Sequence, residues 1–470
     1  MRPTEPPRLP GWARNMTTGT KATGTAGAGR APDPAAALTG TWTSPWPGTG
    51  AGTAGVTGHT GGTGRTGIGP LPAPRTGGAG TPPPAEVLAH LAGRHSEGLR
   101  LARLDRWAEA VEVQRAVVTE RERLLGPDHP DTLDSRYEVG FALSRTGRPG
   151  EALREFARTA AGRERVLGPE HPDTLAARQE TAYVLGQLGR HVEAHRVYTA
   201  VLATRERVMG TDHPDTLRCR HNLAFSLGRL GRPEESYAMA CEVAAARARV
   251  LGPDHPDTLV TRYEVGWALG QLGRWAEALR TYHEVAAARA RVLGPDHPDA
   301  FAARYEAGIC LGRLGRSTEA LELYRDLVAD RTRAQGPAHA DTLRARHGLG
   351  VNLGRLGRWE EALAEARDVY AIRARVLGAD HPDTLVSRRE VAVGLGWLGR
   401  WGDALAVYRD VAQARQRVLG ADHPDALASR QDEAHCLEQL GRSAEAAELH
   451  RQVAALRRTR ATRGNRPPPG

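Results

Sequence analysis

Apolar residues recur three and four positions apart along most of this chain, which is the spacing of helices that bury one face. From residue 85 onward these amphipathic stretches come in pairs, and the pattern repeats every 42 residues. The clearest marker is His129-Pro130-Asp131, whose histidine recurs at 42-residue intervals without slip up to His423. Because a fixed period of this kind is typical of solenoids, the sequence predicts an all-α repeat array.

Two glycines in each period mark the ends of two predicted helices. Gly147 and its equivalents follow the first helix, here named helix A, and Gly126 and its equivalents follow the second, helix B. We expect both glycines to be left-handed, a conformation that glycine adopts without steric cost. We also expect Asp128 and Asp131 to cap helix A around Pro130, and an acid in the first turn of helix B to complement the helix dipole.

Small and large residues inside each period follow the spacing of a known repeat. The segment from Val139 to Phe156 has the pattern L-G-x-x-Y…G…A-x-x-x-F, with Gly140 and Ala152 where two helices cross closely. This pattern resembles the tetratricopeptide repeat (TPR), whose usual unit has about 34 residues. The 42-residue period and the L-G-x-D-H-P-D-T-L junction resemble the kinesin-light-chain class of TPR proteins, which is found in bacteria. The resemblance implies a right-handed superhelix, an α-solenoid of about nine helix-turn-helix units.

Composition and period together predict the domain boundaries. Residues 1–84 are predicted to be a disordered arm, because 62 of them are Gly, Thr, Pro or Ala and bury too little apolar surface to offset the entropy of ordering. Trp42 and Trp46 are candidate docking residues within this arm. Residues 459–470 are predicted to be a basic, disordered tail. The predicted TPR units lie between, at 85–126, 127–168, 169–210, 211–252, 253–294, 295–336, 337–378, 379–420 and 421–458.

Net charge is concentrated at the two ends of the chain. The whole chain carries +9, of which residues 1–84 supply +5 and residues 457–470 another +5, so the repeats are close to neutral. Basic tails attract polyanions without sequence preference. We therefore expect at most weak nucleic-acid binding, through these ends.

Single residue types argue against several functions. Lys21 is the only lysine, so the repeats contain no lysine for a P-loop or a Schiff base. No run of 18 apolar residues predicts a membrane span. Cys219, Cys241, Cys310 and Cys436 lack paired spacing, which is typical of free thiols in the cytoplasm. We expect a cytoplasmic, non-enzymatic protein without a cofactor or metal.

Histidines and arginines recur in every unit, and we interpret both as structural. The periodic histidines lie in junctions that stack about 10 Å apart, too far to share one metal ion. Each helix B ends in Arg-x-Arg, as at Arg163 and Arg165, which we expect to compensate the helix dipole and pair with acids of the next junction. The arginine of each helix A, such as Arg136, is expected to pack its stem between helices and reach an acid. The alternative is that the rows of Arg-x-Arg arginines bind an anionic polymer.

Variation between units is concentrated on helix A, which lines the concave face of a TPR stack. Two positions, four residues apart, carry aromatic residues in successive units, and arginines follow near the helix end. Because aromatic side chains dominate interface energetics, we expect an exposed stripe that binds a peptide or protein. The alternative is that these rings pack inside the longer helices. The predicted groove comprises Tyr137, Phe141, Tyr183, Phe225, Tyr263, Trp267, Tyr305, Arg145, Arg229, Arg313 and Arg355.

The function predicted from these features is a protein-interaction scaffold or adaptor. Similar arrays occur as sensor regions of bacterial signalling ATPases, so the resemblance implies a role in bacterial signalling. The Lys/Asn/Arg clamp by which some TPR domains hold a terminal carboxylate is absent. The alternative function is an RNA-binding helical repeat in which groove aromatics stack on bases. The partner and the oligomeric state stay open.

One junction departs from the others. Residues 334–340 read Ala-Gln-Gly-Pro-Ala-His-Ala, without the Val-Leu pair, the capping acid or the helix-starting proline. We predict that the solenoid bends or opens most easily at this junction.

Overall fold

The computed structural model describes residues 83–464, with side chains described to residue 458. The predicted arm up to residue 82, including Trp42 and Trp46, and the last residues of the predicted tail lie outside the described residues. The last helix continues to Gly464, into the residues predicted to be tail. Arginine and alanine, which favour helices, continue up to that glycine, and a proline run follows it.

Residues 83–464 contain eighteen α-helices and no strand, which confirms the prediction of nine helix pairs. The A helices are α1 (Ala85–Arg103), α3 (Pro130–Arg145), α5 (Pro172–Gln187), α7 (Pro214–Arg229), α9 (Pro256–Gln271), α11 (Pro298–Arg313), α13 (Ala340–Arg355), α15 (Pro382–Trp397) and α17 (Pro424–Gln439). The B helices are α2 (Trp107–Leu125), α4 (Pro149–Leu167), α6 (His191–Met209), α8 (Pro233–Leu251), α10 (Trp275–Leu293), α12 (Ser317–Gln335), α14 (Trp359–Leu377), α16 (Trp401–Leu419) and α18 (Ser443–Gly464).

The described chain falls into two compact units, divided within α11 after Ala303. In the first unit, up to residue 303, consecutive helices pack around small and large apolar residues such as Leu143, Ala152 and Phe156, all fully buried. A Cβ at Gly140 would lie 3.0 Å from the Phe156 ring, so glycine allows this close crossing as predicted. In the second unit, from residue 304, the equivalent packing involves Leu395, Ala404 and Tyr408.

The glycines that end the two helices adopt different conformations. Gly147 has a φ of 74°, which is the left-handed conformation predicted for it. Gly126 has a φ of 92° and a ψ of 164°, so its φ is positive but its ψ lies outside the left-handed helical region. Almost only glycine adopts this combination of angles, so glycine is required at this position as well. Asp105 occupies the position of Gly147 in the first repeat and has a φ of 58°.

The periodic histidine, and not the acid before it, caps helix A. His129 Nδ1 accepts a hydrogen bond from the backbone N–H of Asp131 at 3.2 Å, and each later junction shows the same bond. This confirms the junction role predicted for the histidines. The capping role predicted for Asp128 is wrong, because its carboxylate pairs with Arg165 instead.

The two arginines of each Arg-x-Arg have separate structural roles. The first is buried and donates to a backbone carbonyl in the first turn of the following helix A, as Arg205 does to Asp215 at 2.7 Å. The second is exposed and, except for Arg375, pairs with an acid, as Arg207 does with Glu170 at 2.6 Å. The predicted ion pairing is confirmed at these positions, but in five repeats the acid lies in the junction that opens the same repeat and not in the next one. Arg136 also reaches acids, Glu122 and Glu155, as predicted.

Candidate functional site

Four of the seven aromatic rings predicted to be exposed are buried. The exposed fractions are 9% for Tyr137, 7% for Tyr263, 3% for Trp267 and 8% for Tyr305. The expectation that these rings face solvent is therefore wrong, and the alternative of inward packing holds for them. Substituting these residues would perturb folding together with any binding.

The buried tyrosines face the helix B of their own repeat. Tyr137 meets Phe156 edge-on with ring centroids 5.4 Å apart, and Tyr263 meets Tyr282 at 5.1 Å. In the second unit, Tyr305 meets Tyr324 in the same way at 5.7 Å. In the first unit the guanidinium of the buried arginine also lies over the tyrosine ring, with Arg163 4.9 Å from the Tyr137 ring centroid. These rings thus belong to the core of each helix pair.

Trp267 fills a space that glycine leaves open. A Cβ at Gly228 would lie 2.2 Å from the Trp267 ring, so only glycine allows α7 and α9 to approach with the indole between them. Phe225 lies against the same indole with ring centroids 5.5 Å apart. Trp267 therefore joins two neighbouring A helices.

The other three rings of the predicted groove are half-buried, and all lie in the first unit. These rings are Phe141, Tyr183 and Phe225. Phe141 meets the ring of Trp107, at the start of α2, with centroids 5.8 Å apart. Each ring thus keeps part of its surface available, which is the property that a contact surface needs.

The arginines of the predicted groove lie near the surface. Arg145 is half-buried with its guanidinium 5.1 Å from the Trp107 ring centroid, and Arg229 is exposed. Among the described residues, neither arginine forms an ion pair with a carboxylate. In the second unit Arg313 is half-buried and Arg355 is exposed, and the Arg355 side chain packs over Gly312. We name Phe141, Arg145, Tyr183, Phe225 and Arg229 the aromatic–arginine surface.

Titratable groups on the same helices of the first unit are strongly perturbed. Burial raises the pKa of the Glu138 carboxyl to about 7, and the nearby Asp134 carboxylate adds to this effect. Burial also lowers the pKa of His221 to about 3, with a smaller effect from Arg247. His221 lies 3.4 Å from the Thr261 hydroxyl and occupies the position of Tyr137 in its repeat. Its neutral form is thus part of the core.

The second unit has aromatic and ionic contacts that were not predicted from the sequence. Trp359 and Trp397 stack face to face with centroids 4.3 Å apart, and Trp401 meets His435 edge-on. The signal for such contacts is the recurrence of tryptophan at the first position of helix B, also seen at Trp107. At the position of the buried tyrosines, Arg389 forms a two-bond pair with Asp432 at 2.5 and 2.9 Å. Burial opposes the charged form of this arginine, but the bonds to Asp432 leave its pKa raised.

Within residues 83–464, no three His, Cys, Asp or Glu side chains are grouped so that they could hold a metal ion. No helix in the same range is both long and apolar enough to pass through a bilayer. All four cysteines are free thiols.

Sequence comparison identifies the repeats. Tetratricopeptide repeat families match residues 97–164, 135–207, 182–247, 222–287, 268–333, 342–383 and 387–459, together more than half of the chain. The chain belongs to the tetratricopeptide repeat family. This confirms the family predicted from the Val139–Phe156 pattern. A comparison with curated proteins found no match.

Solved structures with related repeats include one of the predicted class. The chain is 28% identical to a structure described as Podosopora anserina putative kinesin light chain nearly identical TPR-like repeats, over 43% of this chain and 96% of that one, with a TM-score of 0.38. It is 16% identical to BtubC (BKLC) from P. vanneervenii, over 53% and 94%, with a TM-score of 0.41. The apo quorum sensor NprR from B. thuringiensis is 12% identical over 79% and 99%, with a TM-score of 0.55, and this likeness shows the fold alone.

Proposed function

We propose that this TPR protein is a cytoplasmic, non-enzymatic scaffold that binds a peptide or protein segment on the aromatic–arginine surface. TPR solenoids are typical of protein-interaction scaffolds. The observation that carries the proposal is the state of Arg145 and Arg229, which form no ion pair with any described residue. By contrast, the arginine that precedes each helix B pairs with an acid three residues later in all nine repeats.

The side chains around these two cations suit a polypeptide ligand. Phe141, Tyr183 and Phe225 offer ring surface at low entropic cost, because only two torsions per side chain are fixed on binding. Each guanidinium can donate to backbone carbonyls or carboxylates of a bound segment in a planar geometry. Four free thiols in the described repeats support a reducing compartment, and a detached sensor or adaptor of bacterial signalling is the role that we propose there.

The test is affinity capture from the native cell with three forms of the full chain. The test variant is Arg145→Glu/Arg229→Glu, which reverses two charges at positions that no described carboxylate stabilises. The matched control is Arg196→Glu/Arg280→Glu, which reverses two exposed arginines on B helices of the same unit. We expect proteins that the wild type and the control capture to be lost from the test variant.

Two results would contradict the proposal. Retention of every partner by Arg145→Glu/Arg229→Glu would show that the surface is not used. Capture that disappears after ribonuclease treatment, with salt-sensitive binding of single-stranded RNA, would favour the RNA-binding alternative. Circular dichroism of each variant shows whether the charge reversals leave the helices intact.

A further inference from the structure

A second surface lies at the degenerate junction of the second unit, away from the A-helix positions discussed above. It comprises Arg375, Val376 and Leu377 at the end of α14, together with Ala338 and Ala340 at the start of the same repeat. We name these five residues the junction patch. In most repeats the equivalent of Arg375 pairs with a junction acid 37 residues earlier. Here that acid is replaced by Ala338.

The charge of Arg375 is therefore left without its usual partner. Its side chain is exposed, and it forms no ion pair or hydrogen bond with any side chain that the structure describes. In the next repeat of the same unit, Arg417 donates to both oxygens of Asp380 at 3.3 and 3.4 Å. At this position of the junction, the two repeats thus differ by one carboxylate.

The apolar residues beside Arg375 are also more exposed than their equivalents. Val376 is 54% exposed, compared with 46% for Val418, and Leu377 is 40% exposed, whereas Leu419 is half-buried. A physical cause is the loss of the proline that starts helix A, replaced here by Ala340. In the first unit the equivalent leucine, Leu293, lines a small cavity together with that proline. The smaller alanine covers less of Leu377.

The His339 cap shows that the junction keeps its backbone geometry despite these losses. His339 Nδ1 still accepts from the Asp341 N–H at 3.2 Å, and the Leu343 N–H still donates to the His339 carbonyl at 3.0 Å. The missing acid and proline therefore change the surface of the junction and not its fold. The result is an unpaired cation next to two apolar side chains on an ordered frame.

We infer that the junction patch binds a segment of another protein that places a carboxylate on Arg375 and an apolar side chain on Val376 and Leu377. Such a segment supplies the carboxylate and the apolar contact that Ala338 and Ala340 lack. Complementary charge fixes the sign of the partner. The chain's own first 84 residues have the wrong sign, with seven basic residues and two acidic ones.

The experiment selects, from a random-peptide display library, the peptides that bind the immobilised full chain. Ala338→Asp/Ala340→Pro, which restores the sequence of the other junctions, serves for counter-selection. We expect the enriched peptides to carry Asp or Glu within a few residues of Leu, Ile or Phe. Their affinity for Arg375→Gln should be about threefold or more below that for the wild type, as expected for the loss of an exposed ion pair. Their affinity for Ala338→Asp/Ala340→Pro should be lower still.

Arg417→Gln is the matched control, because it removes the same charge from a repeat whose acid is present. It should leave peptide binding unchanged. Peptides without an acid, peptides that bind the restored junction equally well, or no enrichment at all would overturn the inference. Self-association of the wild type that Ala338→Asp/Ala340→Pro abolishes would also overturn it, in favour of a second copy of this chain as the occupant.

Discussion

The first arginine of each Arg-x-Arg, which is buried, offers the sharpest test of how successive repeats are joined. We call these arginines the buried row. Arg205 is 1% exposed and donates to Gln179 Oε1 at 2.5 Å and to the Asp215 carbonyl at 2.7 Å. It therefore links α6 to helix A of its own repeat and to helix A of the next. Arg205→Ala would remove both bonds and leave the buried amide oxygen of Gln179 without this donor.

The cost follows from these contacts. Each hydrogen bond from a charged donor contributes about 1.5–3 kcal/mol, and the emptied volume adds to the loss. Burial lowers the pKa of Arg205, so removal of the guanidinium also recovers part of its desolvation cost. We expect a net loss of about 3 kcal/mol in the free energy of unfolding.

Urea denaturation of the full chain, followed by far-ultraviolet circular dichroism, measures this loss. Arg207→Ala is the control, because Arg207 lies two residues away but is exposed, with only a surface ion pair to Glu170. We expect no measurable shift for the control. Equal shifts for both variants, or no shift for Arg205→Ala, would refute the linking role of the buried row.

Three further predictions address the backbone, the pH dependence and the weak junction. Asp105→Gly should stabilise the chain by up to about 1 kcal/mol in thermal unfolding, because Asp105 has a φ of 58°, and a lower melting temperature would contradict this. His221 has a pKa of about 3 in the folded state, against 6.5 in the unfolded state, so the folded state binds fewer protons. The free energy of unfolding therefore decreases as pH falls from 6.5 towards 3. His221→Tyr, which introduces the residue of neighbouring repeats, should remove about 1.4 kcal/mol per pH unit of that dependence in urea titrations, and an unchanged slope would count against it. Amides at 334–340 should exchange faster than those at 292–298, and Ala340→Pro should slow them; equal exchange would argue against a weak junction.

The fold was predictable because its determinants are local and repeated. The glycine at position 147 of the chain, the histidine at 129 and the helix-starting proline act on their own backbone, so one sequence period defines one structural unit. The caps show the limit of such reasoning. Whether Asp128 or His129 caps α3 depends on Arg165, which lies 37 residues away and takes the aspartate for itself.

The candidate site was less predictable, because helical spacing gives a direction for a side chain but not the depth of its surroundings. Tyr137 lies on the predicted face of helix A, yet the ring of Phe156, 19 residues later, encloses it. A signal was present in the sequence, since Tyr263 and Tyr305 are also followed by an aromatic residue 19 positions later. Trp107, which contacts Phe141 and Arg145, was missed because it lies on helix B of the preceding repeat.

Site-specific photo-crosslinking at position 183 tests the central claim most directly. A photoreactive phenylalanine analogue replaces the half-buried Tyr183 of the aromatic–arginine surface in one protein and the half-buried Tyr237, on helix α8, in another. Our account predicts that irradiation in the native cell joins a partner polypeptide to position 183 and not to position 237. Crosslinks at 237 alone, or at neither position, would contradict it.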